Sequence, residues 1–154
     1  MAYSMKFFEK RDSKVYVILG DAEMQEGSNW EAMNFAYKYN LDNVVAIVDV
    51  NSLGQSDRTS LGWDMEVYKA RFESFGFNSV VVDGHNVEAI ASALALFQAS
   101  SGKPCALICK TVKGKGMTTE IEDKQKFHGK PMGDKTDGIL AEIKSQIKNN
   151  DLKM

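Results

Sequence analysis

The 154-residue sequence has little net charge, no long apolar run and no recognisable leader. These three features argue against a nucleic-acid-binding, a membrane-spanning and a secreted protein, in that order. Its net charge is −2 and its 19 basic residues are scattered apart from the short stretch Lys113–Lys115, so nothing resembles the electrostatic footprint of a nucleic-acid-binding protein. No run approaches the roughly 18 apolar residues of a membrane span. The first eleven residues lack the apolar core and cleavage site of a signal peptide. We therefore expect a cytoplasmic protein with neither a nucleic acid nor a membrane as partner.

Cysteine is also scarce, since only Cys105 and Cys109 are present. They lie four residues apart in a run rich in β-forming residues, so their side chains share one face of a strand and do not form a C-x-x-C motif. We expect both of them to be buried, reduced thiols.

What the sequence does contain is an alternation of apolar runs and helical patterns. Near-continuous Val- and Ile-rich runs predict strands buried on both faces of a parallel sheet, at Lys14–Leu19, Asn43–Val50, Phe77–Val82 and Cys105–Lys110. Helical spacing predicts helices over Trp30–Tyr39, Met65–Phe75, Val87–Ser101 and about Asp137–Lys148, the first three with candidate caps at Ser28, Asp64 and Asn86. This order predicts an α/β fold, an open parallel sheet with helices on both faces.

The beginning of this pattern indicates an incomplete domain. The sequence starts within a helical pattern that has no capping residue ahead of it, and the first predicted strand has no earlier strand to pair with. We expect residues 1–154 to form a single partial domain that is incomplete at its N-terminus. Its longest irregular stretch, Thr111–Thr136, has a length that is usually either functional or disordered.

Polar residues follow the first two predicted strands, where an open α/β sheet binds its ligands. Asp21 can supply a carboxylate to Mg²⁺, Asn51 an amide oxygen and Leu53 its backbone carbonyl, with two diphosphate oxygens and a water completing an octahedron. Taken singly, Asp21 and Asn51 are most often turn residues. Their separation by 30 residues, each after its own buried strand, makes the pair more specific than either member.

These residues are similar to the diphosphate-binding signature of thiamine diphosphate enzymes, in which Gly-Asp-Gly leads to a terminal Asn some thirty residues later. Further motifs resemble transketolases, in order along essentially the whole chain: Gly20–Ala32, Leu41–Asn43, Asn51–Asp57, Val82–His85, Lys110–Gly116 and Phe127–Pro131. The Leu-Gly-Gln-Ser-Asp form of Leu53–Asp57 looks like the animal type.

The resemblance implies the transfer of two-carbon ketol units between sugar phosphates, with thiamine diphosphate and Mg²⁺ (or Ca²⁺) as cofactors. Lys113 and His128 match the family's lysine and histidine beside the diphosphate and the substrate, which makes His128 the candidate catalytic residue. The implied metal ligands are Asp21, Asn51 and the carbonyl of Leu53. The implied cofactor contacts are Gly20, Asp21, Ala22, Asn51, Gln55, Lys113 and His128.

Without the resemblance, several of these residues have simpler interpretations. Lys113 would be a solvated loop lysine, and His128 a loop histidine that caps a backbone group. We interpret His85, in Asp83-Gly84-His85, as a structural loop residue. Ala22 departs from the family pattern, which has Gly there, so we expect a methyl group where the backbone approaches the diphosphate. If a positive φ is needed at that position, the penalty is about 1–2 kcal/mol.

The resemblance also implies a homodimer in the full-length protein, in which a partner's pyrimidine-binding domain completes the cofactor site. The pyrimidine-binding and C-terminal domains are not in this sequence, so we expect the chain alone to be inactive. A non-catalytic remnant that acts as a binding or interaction module is the alternative. Another thiamine diphosphate enzyme, such as a pyruvate dehydrogenase component, would share Asp21 and Asn51 but not the loop from Lys113 to His128.

Overall fold

A computed structural model describes residues 1–117, 121–124 and 127–149, and within these residues helices and strands alternate along the chain. The helices are α1 (Ala2–Phe7), α2 (Gly27–Lys38), α3 (Met65–Ser74), α4 (Val87–Ala99) and α5 (Thr136–Asn149). The strands are β1 (Val15–Gly20), β2 (Val44–Val50), β3 (Asn78–Asp83) and β4 (Cys105–Lys110). Short 3-10 turns cover Glu23–Gln25 and Gly133–Lys135. The predicted stretch Thr111–Thr136 lies partly outside the described residues.

The four strands form one parallel sheet in the order β1-β2-β4-β3. Strand β4 therefore inserts between β2 and β3 and does not extend the sheet at its edge. The register places Gly20 beside Asp49, and Asp49 beside Cys109. The loops that follow β1, β2 and β4 consequently leave the sheet side by side at its carboxyl edge.

Helices cover both faces of the sheet. Successive strand residues point to opposite faces, so each strand can contribute apolar side chains to both layers of helices. On one face, α2 and α3 pack against β2 and β4 through Met33, Ala36, Tyr68, Phe72, Ala46, Val48 and Ile108. On the other face, α4 packs through Ala93, Phe97, Val45, Leu107 and Cys109. The predicted α/β architecture, an open parallel sheet with helices on both faces, is confirmed.

Two of the three predicted helix caps are confirmed. The Asp64 carboxylate accepts a hydrogen bond from the backbone N–H of Val67 at 3.3 Å, and the Asn86 amide oxygen accepts one from Ala89 at 2.9 Å. The predicted cap at Ser28 is wrong, because α2 begins at Gly27 and its cap position is Glu26, without a side-chain cap bond. The 3-10 turn Glu23–Gln25 leads almost directly into the helix, which moves its start toward the N-terminus.

The predicted burial on both faces is wrong for β1 and β3, the two edge strands of the sheet. In β1 the side chains of Tyr16, Val17 and Ile18 are 45%, 39% and 74% exposed, and no residue of β3 is fully buried. The reason is positional, because an edge strand is flanked by another strand on one side alone and is covered less completely. The bare edge expected for the first strand is therefore present. Among the described residues, no helix is both long enough and apolar enough to cross a membrane.

Candidate functional site

Asp21 and Asn51 lie just beyond the carboxyl ends of the neighbouring strands β1 and β2. The backbone N–H of Asp21 donates to the carbonyl of Asp49 at 3.1 Å, which extends the β1–β2 ladder one residue past Gly20. The juxtaposition that the 30-residue spacing predicts is thus present in the fold. The assignment of these two residues to a metal stays a prediction.

The Asp21 carboxylate is buried, at 2% exposure, and is held by three hydrogen-bond donors. Its Oδ2 accepts from the Ser52 N–H at 2.7 Å and from the Thr59 hydroxyl at 3.0 Å. Its Oδ1 accepts from the N–H of Ala22 at 2.9 Å. Burial raises the pKa of Asp21; the three hydrogen bonds oppose this rise, and the nearby charge of Asp49 adds to it. A cation at Oδ1 would favour the ionised form of this carboxyl.

The side-chain amide of Asn51 is fixed in one orientation. Its Nδ2 donates to Asp49 Oδ2 at 3.1 Å, while its Oδ1 accepts from the Leu53 N–H at 3.0 Å. Rotating the amide by half a turn would place oxygen against carboxylate and N–H against N–H, so the hydrogen bonds define the assignment. The other oxygen of Asp49 accepts from the Thr111 hydroxyl, at the start of the loop after β4. Asp49 therefore sets the direction in which Asn51 presents its oxygen.

The loop after Asn51 turns back on itself and orients the backbone of Leu53. Ser52 adopts a φ of +64°, and Leu53 forms an antiparallel bridge with Arg58. The hydrogen bonds of this bridge join the flanking residues, from Gly54 N–H to the Asp57 carbonyl and from Thr59 N–H to the Ser52 carbonyl. In such a pair the N–H and C=O groups of Leu53 both point away from Arg58. Since its N–H meets Asn51 Oδ1, the Leu53 carbonyl lies on that same side.

These three oxygens fit a hard divalent cation. An ionised carboxylate oxygen and an amide oxygen each accept two hydrogen bonds or ligand bonds, and Asp21 Oδ1 and Asn51 Oδ1 each receive one hydrogen bond from the described residues. Each consequently keeps a lone pair for a metal. Carboxylate, amide and carbonyl oxygens are the ligands that Mg²⁺ and Ca²⁺ prefer.

Ala22 does not adopt the positive φ considered for this position, so the structure shows no backbone strain there. Its φ of −67° and ψ of −37° are right-handed helical values, because Ala22 caps the 3-10 turn Glu23–Gln25 and its carbonyl accepts from the Gln25 N–H at 3.1 Å. Its methyl group faces the next loop, 4.0 Å from where a Cβ on Gly54 would lie. The N–H of Gly20 is bonded within the same turn, to Glu23 Oε2 at 2.6 Å.

Lys113 and His128 meet although they lie 15 residues apart, with Lys113 Nζ 3.1 Å from His128 Nδ1. Both side chains are half-buried. A lysine ammonium has no acceptor, so Nδ1 accepts the hydrogen bond and the imidazole proton resides on Nε2. The pair therefore combines a cation with an imidazole N–H donor, a combination suited to an anionic, oxygen-rich ligand.

The loop that carries this pair is tied to the loop that holds Asp21. The Asp123 carboxylate accepts a hydrogen bond from Arg58 Nη2 at 2.8 Å, and the Asp123 N–H donates to the Lys113 carbonyl at 2.9 Å. Arg58 Nη1 also donates to the Ser52 hydroxyl. Both candidate groups thus belong to one connected cluster at the carboxyl edge of the sheet. Gln55, the remaining candidate, is exposed on the same loop as Ser52.

His85 takes a structural part in this edge of the sheet. Its Nε2 accepts a hydrogen bond from the backbone N–H of Val112 at 2.8 Å, and its own N–H donates to Asp83 Oδ1 at 2.9 Å. The ring therefore fixes the start of the loop after β4. This arrangement agrees with its interpretation as a loop residue.

Sequence reasoning assigned no role to Asp49, Arg58, Thr59 or Thr111, although all four support the candidate ligands. Asp49 carried a signal that could have been used, since it is a charged residue inside an otherwise apolar strand. Thr59 and Thr111 carried none, because loop threonines are common and their partners lie 38 and 62 residues away.

The two cysteines are free and buried in the sheet, as expected. Burial raises the pKa of the Cys109 thiol to about 11, and the charge of Asp49 adds to this rise. Burial also raises the pKa of Cys105. Both groups are therefore unreactive thiols at neutral pH.

The known proteins that this chain resembles in sequence and in structure are transketolases or transketolase-like proteins. The chain is 48% identical to the transketolase of Homo sapiens over 150 residues, which is 97% of this chain and 23% of that protein. It is 44% identical to the Bos taurus transketolase-like protein 1 over 97% of this chain and 25% of that protein. A transketolase structure from Campylobacter jejuni superposes with a TM-score of 0.77 at 35% identity, over 88% of this chain and 21% of that one.

The chain thus spans about a quarter of the length of the curated relatives it matches. A family model described as "Transketolase, thiamine diphosphate binding domain" matches residues 1–150. With this match over nearly all of its length, the chain belongs to the transketolase family and matches that family's thiamine diphosphate-binding domain.

Proposed function

We propose that this chain supplies the cation- and diphosphate-binding half of a thiamine diphosphate site in a transketolase, which transfers two-carbon ketol units between sugar phosphates. The observation that carries the proposal is the pair of oxygens fixed at neighbouring strand ends, Asp21 Oδ1 and Asn51 Oδ1. Both are oriented by hydrogen bonds made within the chain. With the Leu53 carbonyl they provide the three protein ligands of Mg²⁺ or Ca²⁺.

The remaining candidates fit the anionic end of the cofactor. Lys113 offsets the charge of a diphosphate, and the Nε2–H of His128 can donate to a diphosphate or substrate oxygen and later exchange that proton. When bound, thiamine diphosphate supplies a carbanion at its thiazolium ring. The residues of this chain anchor and orient it through its diphosphate.

Sugar phosphates are the proposed substrates. A Pichia stipitis transketolase whose structure is in complex with sedoheptulose 7-phosphate superposes with a TM-score of 0.75 at 27% identity, over 87% of this chain and 19% of that one. Assembly into a homodimer, with a second domain enclosing the cofactor, is part of the same proposal.

Calorimetric titration of the purified chain with thiamine diphosphate, with and without Mg²⁺, tests this function. We expect binding that requires the cation and that weakens at least about tenfold in Asp21→Asn, because a charged ligand to the metal is lost. Asp12→Asn is the matched control, since Asp12 is exposed and precedes the opposite end of the same strand. Equal effects of the two substitutions, or binding without any cation, would contradict the proposal.

A turnover assay separates the enzymatic proposal from the interaction-module alternative. The chain alone should bind the cofactor but transfer no ketol unit from xylulose 5-phosphate. The reason is that the family resemblance places the group that activates the aminopyrimidine in a partner's pyrimidine-binding domain. A chain that binds neither Mg²⁺ nor thiamine diphosphate would favour the interaction module. Measurable turnover by a sequence-verified sample would overturn the expected inactivity.

A further inference from the structure

The Thr59 hydroxyl occupies an unusual position beneath the Asp21 carboxylate. Thr59 is 7% exposed, and its Oγ1 donates to Asp21 Oδ2 at 3.0 Å from the far side of the loop. The Ser52 N–H donates to the same oxygen at 2.7 Å. Two donors on one carboxylate oxygen fill both of its lone-pair directions. The other oxygen, Oδ1, receives the N–H of its own neighbour Ala22 and retains one direction.

We propose that Thr59 is a positioning residue that restricts Asp21 to one-oxygen coordination of the cation and thereby favours Mg²⁺ over Ca²⁺. The inference rests on the proposed function and deepens it by assigning the selectivity of the same site. Mg²⁺ takes six ligands in a near-ideal octahedron, so a carboxylate usually binds it through one oxygen. Ca²⁺ takes six to eight ligands and readily accepts both oxygens of one carboxylate. A carboxylate with one oxygen already saturated offers Ca²⁺ no second ligand.

The core residue Tyr68 lies close to the Thr59 hydroxyl. Tyr68 belongs to α3 and is 2% exposed. Burial raises the pKa of its phenol, and the Thr59 side chain opposes this rise. A valine at position 59 has nearly the same shape as threonine and cannot donate a hydrogen bond to Asp21 Oδ2.

Thr59→Val and Thr59→Ser form a matched pair for testing this role. The valine removes the hydroxyl and keeps the volume, whereas the serine keeps the hydroxyl and removes a methyl group. Mg²⁺ and Ca²⁺ affinities are measured by calorimetry on the full 154-residue chain at saturating thiamine diphosphate. Thermal unfolding without metal is recorded in parallel for each variant.

In Thr59→Val we expect Mg²⁺ affinity to fall about tenfold, the usual scale for losing an outer partner of a metal ligand. Ca²⁺ affinity should fall less, because Oδ2 becomes available as a second ligand, so the ratio of Ca²⁺ to Mg²⁺ affinity should rise at least about threefold. In Thr59→Ser both affinities and their ratio should stay within about twofold of the unsubstituted chain, because the hydroxyl that defines the geometry is retained. A purely structural role would lower both affinities together and leave the ratio unchanged.

The outcomes distinguish this inference from the proposed function. If the unsubstituted chain binds neither cation, the proposed function fails and the inference fails with it. If it binds both and Thr59→Val leaves the ratio unchanged, only the inference is overturned. Should Thr59→Val not fold, Thr59→Ala carries the test: it also removes the hydroxyl that bonds Asp21 Oδ2, so it should raise the ratio in the same direction, and an unchanged ratio would overturn the inference.

Discussion

Replacing Ala22 with glycine tests whether the family's glycine is needed at this position. Ala22 has a right-handed helical backbone and caps the 3-10 turn Glu23–Gln25, so glycine relieves no strain in the structure. Its methyl group faces the Gly54 loop and is only half-buried. We therefore expect Ala22→Gly to change stability more than cofactor affinity.

The magnitude follows from two contributions. Glycine raises the conformational entropy of the unfolded chain, which lowers the free energy of unfolding by about 0.4–1 kcal/mol. Removing a half-buried methyl group adds a few tenths of a kcal/mol, less than the ~0.8 kcal/mol of a fully buried one. A total near 1 kcal/mol corresponds to a melting temperature lower by about 2–4 °C in a chain of this size. Relief of a positive φ would instead tighten cofactor binding by about 1–2 kcal/mol, or roughly ten- to thirtyfold.

Thermal unfolding and calorimetric titration with thiamine diphosphate at fixed Mg²⁺ measure the two effects separately. Ala32→Gly is the control, because Ala32 is an exposed helical residue of α2 and should show a similar loss of stability. We expect both variants to bind the cofactor within about twofold of the unsubstituted chain, since neither relieves strain. Tenfold tighter binding by Ala22→Gly alone would refute this reasoning and show that the bound state needs a backbone conformation or a clearance that alanine denies.

Three further predictions concern the groups around this site. Asp49→Ala should free the Asn51 amide to rotate and lower Mg²⁺ affinity about 10- to 100-fold by calorimetry, whereas Asp83→Ala on the edge strand β3 should not. Cys109 should not react with a thiol reagent in the native chain at pH 7 and should react once the chain is denatured, because burial raises its pKa to about 11. The raised pKa of Asp21 means that the folded state binds its proton more tightly than the unfolded state, so this residue's contribution makes the metal-free chain less stable as pH rises from 3.8 through the folded pKa. The measurement is the free energy of unfolding against pH for the unsubstituted chain minus that for Asp21→Asn. We expect this difference to fall with rising pH without metal and to rise with saturating Mg²⁺. A difference that rises with pH in the absence of metal would contradict the assigned direction.

The strands could be predicted from the sequence to within one residue at either end. Predicted Asn43–Val50 and Cys105–Lys110 correspond to Val44–Val50 and Cys105–Lys110 in the structure. Both runs are nearly continuous in apolar residues and lie in the middle of the sheet, so the apolar pattern reports their environment directly. β1 has the same kind of pattern and carries exposed side chains on both faces, because sequence pattern indicates what a strand can bury and not what covers it.

The order of the strands could not be predicted, and it determines which loops meet. A chain that alternates strand and helix is compatible with several parallel orders. In this one β4 returns between β2 and β3, which places Thr111 against Asp49 and starts the loop of Lys113 beside Asn51. The proximity of Asp21 and Asn51 could be predicted without the full order, because strands that are consecutive in the chain are usually neighbours in a sheet. The conformation of Ala22 required the structure, since the short turn that fixes its φ has no sequence signature.

The buried carboxylate of Asp21 is the strongest physical argument for a cation at this site. Among the described residues no lysine or arginine forms a salt bridge with it, and Arg58, the nearest cation in its network, contacts the Ser52 hydroxyl and Asp123. A buried ionised group with no partner charge is costly, even when neutral donors bind it. Stability alone would be better served at this position by an uncharged residue of similar size. Burial of an acid whose pKa is raised, at the edge of the sheet where ligands bind, instead supports the proposal that a ligand supplies the positive charge.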